Sequence, residues 1–405
     1  MSNHASTMGP KHQISGPLGR NASDVSVTRG PKENCFFYPS SFTLRIWLAA
    51  GARAVDESKR LKRILFPVAA VVLSTAAAFI VMELLLWTWY LVKHQYDPPK
   101  WYISEDWGWR PTPDLSVVYT KAGYGEIVFS STREGFRRFG EPKTSKTKVL
   151  AVGDSSTQAY QVSDGQAYYD VLADHDPDLE VFAFGVGGYG TVQEALAIER
   201  YRGEISPDVV VWQFSGNDLI DNDWRLESLS PESNNHMRRP YLEDGRIVHR
   251  HPDGRLGWLA ERSLVARRLV VLRSSLRKRL SGTIENELHF DHPGLQRSLA
   301  TMRLAVQQVL EAAPDVVFFA FFVPSPERYS FAYEFEVFAE LCRISRLRCL
   351  PDVHEAVAAA SLSGKQIDSG GGDGHWNGAG HAIAGRVILD HLRREMPAQY
   401  PAQPR

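Results

Sequence analysis

The sequence predicts an α/β protein: a five-stranded parallel sheet with helices on both faces, preceded by one membrane-spanning helix. Three observations carry this. From Lys148 onward, short apolar strands alternate with amphipathic helical stretches, the pattern of parallel strands joined by helical crossovers. Ahead of them, Ile64 to Val92 is the longest apolar run in the chain. And the first strand of the series, Val149-Leu-Ala-Val, stops at Gly153 and hands Asp154 and Ser155 to the start of a helix, a way to present a hydroxyl at the carboxyl end of a sheet.

The chain has 405 residues, enough for one large domain plus attachments, and 43% of them are apolar. A net charge of −1 gives no whole-chain argument for nucleic acid as a partner. The cysteines, Cys35, Cys342 and Cys349, lack the spacing of a metal site. Cys342 and Cys349 read either as a bonded pair in an oxidising compartment or as two small buried apolar side chains.

Taken in order, residues 1–63 are polar and without sustained period, and are expected to form a disordered cytoplasmic tail. Within them Ser41 to Val55 could form a short amphipathic helix on a membrane. Residues 64–92 are the expected transmembrane helix: Ile64 to Met82 is free of charge, close to the ~20 residues that cross ~30 Å of hydrocarbon. Pro67 falls near the start, where a missing N–H does least harm, and Trp87, Trp89 and Tyr90 gather at the far end like an interfacial aromatic belt. A buried core helix is the alternative reading. Glu83 is anomalous there. It reads as a carboxylate near the headgroups or protonated in lipid, or as a contact with a partner helix. Arg53, Lys59, Arg60, Lys62 and Arg63 precede the run, which puts the N-terminus in the cytoplasm and the rest outside the inner membrane, periplasmic or extracytoplasmic.

Asp97-Pro-Pro99 is a stiff exit, and residues 93–147 read as this linker plus a small β-rich extension, with Gly135-Phe136 in a turn. The main domain is expected at 148–395, with strands at 148–153, 180–184, 208–214, 315–323 and 347–351. Helices are expected at 165–174, 191–203, 295–313, 331–345 and 379–394, and a tail at 396–405. Residues 219–290 interrupt the alternation, as a lid or subdomain does. Inside them, Ser263 to Leu280 interleaves Arg267, Arg268, Arg273, Arg277, Lys278 and Arg279 with leucines. That stretch reads as a covering helix with a solvated basic face, or as a helix facing anionic lipid or an acidic glycan.

Ser155 as a nucleophile needs a base, an orienting acid and donors for an oxyanion. Asp373-Gly-His375-Trp-Asn377, just before the last helix, supplies the first two: His375 as base and Asp373 as its orienter, with Asp368 in reserve. His381, inside that helix, reads as a packing residue or as a support behind the site residues. Oxyanion donors are the N–H of Ser155, the N–H of Gly188 in Phe184-Gly-Val-Gly-Gly-Tyr-Gly190, and the amide of Asn217 in Gly216-Asn-Asp218. A tight strand-to-helix turn is the competing account of the glycine run. Asp218, Asp221, Asn222 and Asp223 lack the spacing of a calcium loop, so no metal is expected.

In order and spacing, Gly153-Asp-Ser155, Gly188, Gly216-Asn-Asp218 and Asp373-x-His375 resemble the four blocks of the SGNH (GDSL-type) hydrolases. The resemblance implies a flavodoxin-like three-layer αβα sandwich, no cofactor, and ester hydrolysis or acyl transfer at Ser155. Many members place the acid three residues before the histidine; here it is two. The Asp-x-His-Trp form is similar to that of bacterial exopolysaccharide O-acetylation proteins. The expectation is a membrane-anchored serine esterase acting on a small acyl group, such as acetyl, of an envelope glycan or lipid. Its rivals are an O-acetyltransferase and a glycan-binding scaffold on the same fold.

Overall fold

A computed structural model describes residues 41–96, 100–230, 237–252, 254–281, 284–325, 332–368 and 374–396. By internal packing the chain falls into Met1–Leu73 and Ser74–Arg405. The first helix, α1 (Ser41–Tyr96), belongs to both. Its stretch Arg60–Lys93 is long and apolar enough to cross a membrane. The expected short helix at 41–55 and the expected span are thus one helix, and helix replaces the anticipated disorder from Ser41 to Arg63. The apolar Phe42, Leu44, Ile46, Trp47 and Leu48 lead into it with no proline before Pro67, so only Gly51 opposes helix propagation, by about 1 kcal/mol.

Two hairpins follow: β1 (Trp101–Ser104) with β2 (Gly108–Pro111), and β3 (Ser116–Lys121) with β4 (Gly125–Ser130). In β4 the alternation is realised, with Ile127 and Phe129 buried and Val128 exposed. Gly135 sits at φ +88° beside the buried Phe136.

The α/β domain then runs β5 (Thr147–Gly153), α2 (Ser155–Gln158), α3 (Tyr168–His175), β6 (Leu179–Gly185), α4 (Thr191–Ile205) and β7 (Val209–Ser215). An excursion follows: α5 (Asp218–Asp221), α6 (Trp224–Glu227), a hairpin of β8 (Arg239–Glu243) and β9 (Arg246–Arg250), α7 (Gly254–Ala260) and α8 (Leu264–Ser281). After a 3-10 turn at Ile284–Asn286 come α9 (Pro293–Ala312), β10 (Val317–Val323), α10 (Ala332–Leu341), β11 (Leu347–Cys349), α11 (Pro351–Leu362) and α12 (Gly378–Glu395). The central sheet has the order β11-β10-β7-β5-β6, all parallel. This is the flavodoxin-like order, and β5 and β7 flank its switch point.

Because side chains alternate across a strand, one sheet face carries Leu150, Val152, Phe184, Trp212 and Phe322 against α4, α9 and α10. The other carries Val149, Ala151, Val211, Phe319 and Phe321 against α3, α11 and α12. Both faces are covered, so the strands read as continuous apolar runs. The sequence pattern extends the last strand to 351 and predicts no helix at α11. Pro351 in fact opens a helix, where proline is favoured. Cys342 and Cys349 are disulfide-bonded, with Cα atoms 5.7 Å apart; the reading of two unbonded apolar side chains is replaced.

The excursion is held by a buried ion cluster. The Arg239 guanidinium is fully buried, 3.3 Å from Asp221 and 2.9 Å from Glu227, and Tyr241 donates its hydroxyl to Glu227. Removing the cation strands two carboxylates without water. Arg239→Met is expected to lower stability by about 3–5 kcal/mol at neutral pH. The loss should shrink in acid, where the stranded carboxyls take up protons. Urea unfolding at two pH values checks this.

Candidate active site

The carboxyl ends of β5, β6 and β7 converge on one rim of the sheet. Ser155 is the first residue of α2, one position beyond the end-capping Asp154. Asp154 is buried, and its Oδ1 accepts the Ser156 N–H at 2.9 Å. The strand end is held from β7, where Gln213 Oε1 accepts the Asp154 N–H (3.2 Å) and the Thr157 hydroxyl (3.0 Å). Strand and helix approach so closely here that a Cβ on Gly153 would lie 2.4 Å from both Gln213 Oε1 and Thr157 Oγ1. Glycine is the residue that fits.

His375 reaches the same rim from the loop before α12. Its Nε2 lies 2.9 Å from Ser155 Oγ, across 220 positions of sequence. With Nε2 unprotonated, the imidazole accepts the serine proton directly. The loop is fixed on both sides. Asn377 caps α12, accepting the N–H groups of Ala379 and Gly380, and its amide donates to Gln366 O and Asp368 O. Tyr124, between β3 and β4, donates its hydroxyl to His375 O at 2.8 Å. Asp373 lies outside the described residues. Asp368 pairs by a backbone bridge with Trp376.

The Gly188 loop follows β6. Gly188 has φ +78°, a conformation that costs an L side chain strain. Gln158 Oε1 accepts the adjacent Gly187 N–H at 2.9 Å, which orients the loop toward α2. Asn217, after β7, donates its amide to Tyr189 O (3.0 Å) and Asp221 Oδ2 (3.1 Å). Those two acceptors settle which end of the amide is nitrogen. Ser215 Oγ lies 2.6 Å from Asn217 Oδ1 and 2.7 Å from Asp154 Oδ2, and the Ser155 hydroxyl is 3.3 Å from the same Asp154 oxygen. The structure therefore joins Ser155, His375 and, through Asp154 and Ser215, Asn217 in one polar network. In this arrangement both Asn217 amide hydrogens are already engaged.

The floor beneath is unusually acidic. Burial, then the charges of Asp218 and Asp154, push the Glu194 carboxyl well above its ordinary range; its Oε2 accepts from Trp212 Nε1 at 2.8 Å. Burial raises Asp218 likewise. Burial also drives His381 down to about 3, helped by Arg137 and His375. His381 is therefore neutral, stacked beside Tyr168, and packs as expected. Among the described residues no group of His, Cys, Asp and Glu could hold a metal ion. Sequence reasoning missed Tyr124, Gln158 and Ser215. Tyr124 lies outside every motif, Gln158 holds Gly187 from 29 positions away, and Ser215 meets Asp154 from 61 positions away as well as the nearby Asn217.

Residues 149–242 match the model of the GDSL-like lipase/acylhydrolase family. That range holds Ser155, Gly188 and Asn217; His375 lies beyond it. Solved structures similar to this chain include a lipolytic protein of the G-D-S-L family from Veillonella parvula, at 10% identity and TM-score 0.37 over 61% of this chain and 99% of that one. Another is a lipase/acylhydrolase from Enterococcus faecalis, at 13% identity and TM-score 0.37 over 64% and 100%. A third is a psychrotrophic esterase from a Pseudoalteromonas species, at 11% identity and TM-score 0.36 over 62% and 100%. No curated protein matches the chain.

One buried acid near the rim gives a pH test. Burial lifts Glu334, whose Oε2 accepts the Ser325 N–H, from 4.5 to about 7. The unfolded chain loses this proton first, so the native state binds more protons between those values and stability falls as pH rises through them. That contribution levels off above about pH 7. Glu334→Gln should flatten this decline, worth at most about tenfold in the unfolding equilibrium per pH unit. Denaturant titrations at several pH values measure it.

Proposed function

We propose, from the premise that the α/β domain belongs to the GDSL-like lipase/acylhydrolase family, that it cleaves esters through an acyl-serine at Ser155. The observation that carries this reading is the 2.9 Å separation of Ser155 Oγ and His375 Nε2. His375 takes the hydroxyl proton as Oγ attacks the ester carbonyl, giving a tetrahedral oxyanion. The N–H groups of Ser155 and Gly188 stabilise it, and Asn217 joins them by releasing Tyr189 O or Asp221. The imidazolium returns the proton to the departing alkoxide as the C–O bond breaks. His375 then deprotonates a water, whose attack frees the acid and restores Ser155. Asp373 is assigned to hold the imidazole tautomer.

The substrate class is a small acyl ester, such as acetyl, on an envelope glycan or lipid. Two features support an extracytoplasmic site: the basic cluster ahead of the apolar run, and the Cys342–Cys349 disulfide, a bond suited to an oxidising compartment. In this topology α1 is a single membrane span with its N-terminus in the cytoplasm.

Release of a chromogenic acetyl ester by the purified chain tests the chemistry. Ser155→Ala and His375→Ala are each expected to lower kcat by at least about 10³-fold, whereas His381→Gln retains turnover. Equal residual rates in wild type and Ser155→Ala would instead indicate a binding protein. Acetylated product on an added glycan would convert the assignment to transfer. For topology, an alkaline phosphatase fused after residue 100 should be active, and an inactive fusion reverses the orientation.

A further inference from the structure

We infer that α8 is a membrane-surface helix, laid on the anionic headgroups of the same bilayer that α1 enters. The inference rests on that insertion and is independent of the chemistry at Ser155.

Helix α8 has two opposite faces. Ala266 and Val270 are buried against Ala260 and Leu256 of α7, and Arg277 donates to Ser228 O at 2.8 Å, fastening the helix to the domain. Away from these contacts, Val265, Leu269, Leu272, Leu276 and Leu280 recur every third or fourth residue and so share one stripe. The four leucines are 46–83% exposed, as is nearby Trp258 on α7. A soluble domain rarely leaves such a row of leucines uncovered.

Charge identifies what covers it. Over Leu264–Ser281 there are six basic residues and no acid. By helical geometry Arg268 and Arg279 flank the leucine stripe on one side and Arg273 on the other. All three are exposed. Arginines rimming an apolar stripe can keep their heads at phosphate level while the leucines enter the acyl boundary. An acid-free stripe fits an anionic lipid surface better than neutral lipid.

Continuity with α1 sets the location. The start of α8 is bonded to Glu83, inside the apolar stretch: Glu83 Oε1 accepts the Leu264 N–H at 2.7 Å, and Oε2 accepts the Ser263 hydroxyl (2.8 Å) and the Val265 N–H (3.1 Å). The Glu83 carboxylate thus satisfies open N–H groups at a helix start. The Arg268 guanidinium lies 5.3 Å from the centre of the Trp89 ring, in the segment whose aromatic residues mark an interface. The anomalous acid of the apolar run is therefore the peg that holds α8 at the bilayer. Its partner helix belongs to its own chain.

The test places a nitroxide label at Leu272→Cys in the full chain carrying Cys35→Ser, with Lys365→Cys as an exposed control. In nanodiscs containing phosphatidylglycerol, the label at position 272 should collide with a water-soluble nickel chelate several-fold less often than the control, and more often with oxygen. The protection should weaken in phosphatidylcholine alone, and also on adding Arg273→Glu with Arg279→Glu. Equal nickel access at both positions in phosphatidylglycerol overturns the inference. So does protection with dipolar broadening between labels in nanodiscs and detergent alike, which means that a second copy covers the stripe. A label at Val72→Cys that remains open to nickel in the nanodisc removes the premise, and the inference with it.

Discussion

The site depends on a constraint of connectivity. A parallel sheet brings successive strand ends to one rim only if every return passes through a crossover. Here β5, β6 and β7 each end in a short polar or glycine-rich turn: Gly153-Asp-Ser155, Gly185-Val-Gly-Gly188 and Ser215-Gly-Asn217. From β11 the chain passes into α11, and the turn before α12 carries His375 back to the end of β5, the strand that opens the domain. The 2.9 Å contact of Ser155 and His375 is thus a product of strand order as much as of the residues themselves. The supporting bonds from Tyr124, Gln158, Gln213 and Asn377 hold the loops that the sheet brings near.

Beneath that rim the protein buries Asp154, Glu194, Asp218 and Asp221, and of these it pairs Asp221 with the buried Arg239. So many acids without as many cations would be costly if all were ionised. Burial, and after it the charges of neighbouring acids, raise both Glu194 and Asp218 above their ordinary range.

Much of this was legible in the sequence because it rests on local patterns. Four of the five strands carry apolar runs, closed by Gly153, Gly185, Ser215 and Pro324, which are found readily in the sequence; β11 is only Leu347-Arg-Cys349. Ser155, Gly188, Asn217 and His375 stood out because each follows a strand or precedes a helix. Two further cues are present in the sequence. Pro351 marks the start of α11, and Asp244-Gly245, both at positive φ, turns the β8–β9 hairpin. The remainder was out of reach for a physical reason. The hydrogen bonds of Tyr124 to His375, Gln158 to Gly187 and Glu83 to α8 join polar groups distant in the chain, and nothing in the local pattern of either partner announces the other. Helix α1 shows the converse: a change of composition near residue 63 suggested a boundary, yet the helix runs through it.

The central claim is that Ser155 is activated by His375. The most direct measurement is covalent labelling with a fluorophosphonate, followed by intact-mass analysis and peptide mapping. The account predicts a single adduct on Ser155, formed quickly in the wild type and hardly at all in His375→Ala. An adduct on Ser156 or elsewhere, or equal labelling with and without the histidine, would contradict it.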